Sequence, residues 1–426
     1  MLTTQPWIKL APEMLLEWEQ SQMEGCDVEH LKNLCAEIAA NGNEEMAEQA
    51  CRLLAAAPMR ADFTFTEPSC YEEIIKETPP RIKTYNAPTH TSPTLDESLK
   101  DKIKGAWIGR ISGCLLGKPV EGWRRDKLWP MLKEAGNFPM TRYIGGYTEK
   151  LVQGAAPVDD DTNYTVFAMR LIERYGRDFT PDDVLEAWMY WLPFLSTCTA
   201  ERVAYRNAAT GLTAPQTATY KNPYREWIGA QIRGDFFGYI NMGNPQRAAE
   251  MAWRDASISH VKNGIYGEIL IAAMIAIAAV CNDVREVIES ALCEIPKNCR
   301  LRRDIDMVLD WHKKGLTEDE AIEKIHEAYD EHTGMGWCHT NPNAMIVVMA
   351  LLYGEKDFGK SICLSVQAAF DTDCNGATVG SILGIMLGEK GIDPYWPEFF
   401  GYKLRTSVEG YHLVTVDELV EKTFLR

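Results

Sequence analysis

Gly105-Ala106-Trp107-Ile108-Gly109-Arg110-Ile111-Ser112-Gly113-Cys114-Leu115-Leu116-Gly117 carries a glycine at every fourth position of an otherwise largely apolar run. Residues four apart share one face of an α-helix, so these glycines form a stripe. Glycine inside a helix costs up to about 1 kcal/mol per site relative to alanine, and something must offset four of them. Close approach of another backbone is the simplest offset. Gly376, Gly380, Gly384 and Gly388 repeat the spacing far along the chain. The two runs are expected to be central helices that cross at short distance.

Working outward from this pair, helical periodicity fills most of the chain after Leu99. It covers 98–117, 162–175, 180–192, 245–260, 267–281, 283–295, 299–314, 317–331, 343–353 and 357–369. Alternating Val/Ile/Thr runs of strand length are nearly absent, so the expected fold class is all-α, a compact multi-helix body. No period of 20 to 50 residues recurs, which disfavours a helical solenoid. Upstream, 13–57 is dense in Glu, Ala, Leu and Met and breaks at Gly25 and at Asn41-Gly42-Asn43. That pattern predicts an N-terminal helical extension of three short amphipathic helices. From Pro58 to Leu95 the composition turns to Pro, Thr and Ser, and prolines disfavour helix at themselves and at the residue before. The expected organisation is a helical segment at 1–60, a Pro-rich linker or strap at 61–97, and the main domain at 98–426.

The chain has 44 Lys plus Arg against 61 Asp plus Glu, a formal charge of −17. Such a surface repels phosphate backbones and anionic lipid, so neither nucleic acid nor a membrane surface is an expected partner. The N-terminus lacks a basic region followed by an apolar core and a cleavage site, so a cytoplasmic location is expected. The apolar run from Ile269 to Cys281 is shorter than the ~20 residues a bilayer span needs and reads as a buried helix. The twelve cysteines include no Cys-x-x-Cys pair, which argues against a zinc ribbon or a dithiol redox motif.

Chemistry is written in two acidic clusters. Asp159-Asp160-Asp161-Thr162 precedes one helical run, and Asp371-Thr372-Asp373-Cys374-Asn375 opens the second glycine run. An over-acidic helix cap would account for either alone, because carboxylates at that end are favoured by the helix dipole. The two share a design, however: close carboxylates, short polar neighbours and a buried helix leaving directly from them. If the clusters converge, each like-charge pair at ~5 Å and an effective dielectric of ~20 costs about 3 kcal/mol, and compensating cations are required. Oxygen ligands select hard ions, Mg²⁺ or Mn²⁺, with Ca²⁺ admissible.

Three segments resemble the ADP-ribosylglycohydrolase family, an all-helical fold. The run Gly105 to Gly117, continuing through Lys118-Pro119-Val120-Glu121, is similar to the family's opening G-A-x-x-G-x-x-x-G-D-x-x-G-x-P-x-E. Asp159 to Thr162 resembles its T-D-D-T, and Asp371 to Cys374 its D-T-D-T. The resemblance spans about 99–426 and implies a site for two divalent cations. It implies Asp160, Asp161, Asp371 and Asp373 as ligands, with Asp159 and Cys374 standing where the family has hydroxyl ligands. It further implies Glu121 as a carboxylate on a loop over the scissile bond and His260 near the substrate. Arg233, Gly238, Tyr239 and Asn241 fall in a segment that looks like the family's diphosphate and ribose loop. Cys114 replaces the aspartate of the first motif, and Cys374 brings a thiol, a poor ligand for Mg²⁺.

The implied activity is metal-dependent hydrolysis of an N- or O-glycosidic bond to ADP-ribose, on a small molecule or an ADP-ribosylated protein. Glu121 or Asp161 would accept the proton of the attacking water. Two alternatives stay open: the same metal site acting on a glycoside or nucleoside without ADP, and a non-catalytic binding protein of the same fold.

Overall fold

The computed structural model describes residues 5–88 and 93–426. The part of the expected strap at 89–92 and residues 1–4 lie outside this range. The first glycine run forms the helix Pro93–Gly117 and the second forms Thr372–Leu387. They run antiparallel: Gly105 faces Gly384, Gly109 faces Gly380, Gly113 faces Gly376, and Gly117 meets Thr372. A Cβ added at any of these glycines of the first helix would stand within 3 Å of backbone atoms of the second. The glycine penalty is therefore offset by backbone contact along the whole crossing. Gly388 departs from the expected stripe. It lies just past the second helix with φ +74, a conformation glycine adopts without strain, and caps it.

Two further helices, Lys262–Ala278 and Thr340–Tyr353, are apolar on nearly every face and buried throughout. They pack against the glycine pair and complete a single hydrophobic core. Helices form at each periodic segment, including Asp160–Tyr175, Pro181–Trp191, Pro245–Ala256, Arg300–Lys313, Glu318–Ala328 and Phe358–Gln367. Other elements lie outside the expected segments, among them the helices Arg125–Glu134 and Thr199–Ala209 and a hairpin pairing Lys403–Arg405 with Leu413–Thr415. Among the described residues no helix is long and apolar enough to cross a membrane.

The N-terminal helices Met14–Met23, Lys32–Asn41 and Glu44–Ala55 form between the expected breaks. Gly42 ends the second at φ +66, and the Asn43 side chain caps the third by accepting from the Met46 amide. They enclose a small core of their own around Met14, Trp18, Ile38 and Leu54. Charge docks this unit on the body: Arg225 pairs with Glu17 at 2.9 Å and Glu24 at 2.6 Å, and Gln20 donates to Glu226 at 2.7 Å. The described part of the expected strap up to residue 88 has one helix, the short Tyr71–Glu77, whereas 93–97, expected in the strap, open the helix Pro93–Gly117. Glu67 anchors it by a forked pair with Arg300 at 2.7 and 3.0 Å, and the Thr66 amide donates to the Asn298 carbonyl. Prolines limit helix in this segment before Pro93, and backbone and carboxylate contacts hold it to the surface.

Candidate metal centre

Antiparallel pairing sets the C-terminal end of the first glycine helix beside the N-terminal end of the second. The Thr372 hydroxyl donates to the Gly117 carbonyl at 3.0 Å and locks this register. A single 3₁₀ turn, Lys118–Val120, then delivers Lys118 and Glu121 to the same place. The third wall is the start of Asp160–Tyr175, held there by Arg110. This fully buried arginine donates to the Asp161 carbonyl at 2.9 Å, to Asp161 Oδ1 at 3.1 Å and to the Ile232 carbonyl at 2.7 Å, and pairs with Asp235 at 3.3 Å. One cation thus ties the first glycine helix to Asp161 and to Asp235.

The two acidic clusters converge. Asp159 does act as a helix cap, with Oδ1 accepting from the Asp161 amide at 2.9 Å, while Oδ2 is taken by Lys118. Asp371 also occupies a cap position, but its carboxylate makes no capping bond; Cys338 Sγ lies 3.5 Å from it instead. Asp161 and Asp373 are buried, and Asp160 is half-buried beside the Cys198 thiol. Burial first, then mutual repulsion, pushes the carboxyls of Asp160, Asp161 and Asp373 well above the usual range, in Asp161 against the pull of Arg110. Glu121 stands at the rim, reached by solvent on one side and crowded by protein on the other. Desolvation, then the charges of Asp371 and Asp159, push it up to about 7. A bound cation would relieve the repulsion among these carboxylates.

Two overlapping sets of donors lie within 4.8 Å of one another: Cys114 with Asp159 and Asp161, and Asp161 with Asp373 and Cys374. Asp161 Oδ2 is buried and has no hydrogen-bond partner among the described residues. An orphaned carboxylate oxygen amid raised carboxyls fits a divalent cation, so the residues present suit the metal that the sequence motifs imply. The profile of the ADP-ribosylglycohydrolase family matches residues 95–423, more than half of the chain. The chain belongs to the ADP-ribosylglycohydrolase family. A solved structure entitled "ADP-ribosylglycohydrolase-related protein complex" is similar at 17% identity and a TM-score of 0.49, over 77% of this chain and 97% of its own. No curated protein sequence matches significantly.

The expected substrate loop of this ADP-ribosylglycohydrolase-family chain is buried. Arg233, 1% exposed, pairs with Glu201 at 3.0 Å, Asp255 at 2.5 Å and Glu268 at 3.6 Å, which leaves its guanidinium no face for a phosphate. Tyr239 shares a hydrogen bond with Ser381 at 2.6 Å, Asn241 donates to the Phe237 carbonyl at 2.8 Å, and Gly238 packs on Ile275. His260 is 1% exposed, with Nδ1 2.8 Å from Ser259 Oγ, and burial holds its imidazole neutral. These five residues build the core behind the site. Arg110 and Lys118, in turn, carry weight that the motifs did not reveal. Arg110 is the one charge within the 105–117 run, and a lone cation inside an apolar helix is the signal that marks it.

The turn entering the second glycine helix is strained. Ala369 and Phe370 are consecutive non-glycine residues at φ +66 and +58, a conformation costing on the order of 1–3 kcal/mol each. Asn343 Oδ1 accepts from the Asp371 amide at 3.1 Å, and His326 Nε2 donates to the Ala368 carbonyl at 3.0 Å while its ring lies on Phe370. Burial lowers the His326 pKa from an ordinary 6.5 to about 4. Between those values the unfolded chain takes up a proton that the folded chain refuses. This part of the stability is full above 6.5 and is lost as pH falls toward 4. His326→Gln retains an amide donor for Ala368 and is expected to remove up to about 3 kcal/mol of that pH dependence. Urea unfolding of both proteins from pH 7 to 4 measures it; parallel curves would refute it.

Proposed function

We propose that this ADP-ribosylglycohydrolase-family chain is a metal-dependent glycosidase that hydrolyses an N- or O-glycosidic bond to ADP-ribose. The observation that carries the reading is the convergence of the two acidic helix starts on one buried carboxylate cluster. Asp160, Asp161, Asp371, Asp373 and Cys374, with Asp159 at the edge, would hold two divalent cations, Mg²⁺ or Mn²⁺ in the family's pattern. When bound, such ions template sugar hydroxyls and acidify water.

The chain's own residues supply the rest. The oxocarbenium-like transition state carries positive charge on the sugar, and the net negative cluster stabilises it. Glu121, raised to about 7 at the mouth, is suited to accept the proton of the attacking water at neutral pH. Lys118 and Arg110 fix Asp159 and Asp161, so that the carboxylates need not reorganise during the reaction.

ADP-ribosyl-arginine, ADP-ribosyl-serine and O-acetyl-ADP-ribose are the substrates to test. Release of ADP-ribose from one of them should be abolished by EDTA and restored by a divalent cation. Glu121→Gln should lower kcat by ~10²–10⁴-fold and erase the acidic limb of the pH profile, since the base works only when deprotonated. Release indifferent to EDTA would end the reading. The commitment of Arg233 to the core favours a second reading, a glycoside or nucleoside substrate without a diphosphate. Failure of free ADP-ribose to compete for the site would select it.

A further inference from the structure

We propose that the first divalent cation to enter the centre takes the Cys374 thiolate as a ligand beside Asp161 and Asp373, making the site selective for sulfur-tolerant cations such as Zn²⁺ over Mg²⁺. The inference rests on the metal-site reading above and goes further by naming a sulfur ligand and the class of ion it selects.

The two donor sets share Asp161 and its Arg110 partner and differ in whether a second built-in cation is present. In the set of Cys114, Asp159 and Asp161, the Lys118 ammonium already sits on Asp159 Oδ2 and the Arg110 guanidinium on Asp161 Oδ1. In the set of Asp161, Asp373 and Cys374, Asp373 forms no ion pair among the described residues. The buried Asp161 Oδ2, without a hydrogen-bond partner among the described residues, adds a further oxygen. Like-charge repulsion is therefore least compensated at the second set, and a dication gains most there. Cys374 follows Asp373 in the first turn of the helix and is 7% exposed, so its sulfur is confined within the donor set. Its thiol donates to the Asp371 carboxylate when no metal is present. On coordination the S–H bond breaks, a sulfur–metal bond forms, and the proton leaves to buffer. Thiolate favours Zn²⁺, Co²⁺ or Cd²⁺ and is indifferent to Mg²⁺.

Cobalt titration of the full chain reads the ligand directly. The first equivalent of Co²⁺ should raise a near-ultraviolet thiolate-to-cobalt charge-transfer band. Cys374→Ser should bind Co²⁺ without that band and lose about tenfold or more of its preference for Zn²⁺ over Mg²⁺. Cys114→Ser should keep the band. Cadmium NMR of the unaltered chain should show a sulfur-shifted resonance, a test that needs no variant to fold. Co²⁺ bound with no charge-transfer band, or a band that survives in Cys374→Ser, would overturn the sulfur ligand and leave the metal site standing. No Co²⁺ binding at all would overturn both.

Discussion

Replacing Asp160 and Asp371 together with alanine is expected to weaken divalent-cation binding, with Asp161, Asp373 and Cys374 left as ligands, and to lower turnover on the order of 10³-fold or more, as loss of a preorganised electrostatic stabiliser does. The pair is chosen because neither aspartate forms an ion pair with a buried arginine or lysine among the described residues, unlike Asp159 and Asp161. The fold should tolerate the change. Without metal the double variant should even unfold at higher urea than the parent. Each like-charge contact removed at ~5 Å relieves up to about 3 kcal/mol at an effective dielectric of ~20. Adding metal should then stabilise the parent more than the variant, as expected of a ligand that binds only the native state and has lost part of its site. Calorimetry and urea unfolding, each with and without Mn²⁺, test the two halves separately. Retained turnover in the double variant would remove the aspartates from the chemistry.

Gly109→Leu is expected to leave no cooperative unfolding transition. A Cβ there would come within 3 Å of the Gly380 carbonyl, and the obstacle is backbone, which has no alternative rotamer. Gly109→Ala alone should cost at least about 3 kcal/mol, the upper end of ordinary overpacking. In a solvent-exposed helix the same change would gain up to about 1 kcal/mol, so the sign of the effect reports the crossing directly. Separating the helices would also pull Asp373 away from the end of the first helix, and metal affinity should fall with stability. A melting curve unchanged in Gly109→Ala would refute the close crossing.

The fold was legible where one element's own residues carry the signal. Helical periodicity marked the helices, the unpaid cost of glycine pointed to a backbone partner, and prolines marked the extended strap. The hairpin at 403–415 was missed because three-residue strands are too short to show alternation. At the site, the acidic motifs announced the carboxylates, since no helix cap needs so many. The fates of Arg233 and Lys118 were not legible. Both are cations near polar motifs, and only long-range packing decides that one meets Glu201, Asp255 and Glu268 in the core while the other meets Asp159 at the cleft. Burial, which no short window of sequence contains, separates a structural arginine from a binding one.

The contact between Thr372 and Gly117 joins residues 255 apart in the chain. On the ribosome, the two sides of the metal cleft are therefore translated at different times. The N-terminal helices and the first glycine helix emerge early, with the apolar crossing face of the latter bare. That face has no partner until the last quarter of the chain has been made. A nascent or truncated chain exposes a sticky stripe and cannot assemble the cleft, whereas completion of the second helix buries the stripe and closes the cleft in one event. Assembly of the carboxylate cleft is thereby tied to synthesis of the second glycine helix.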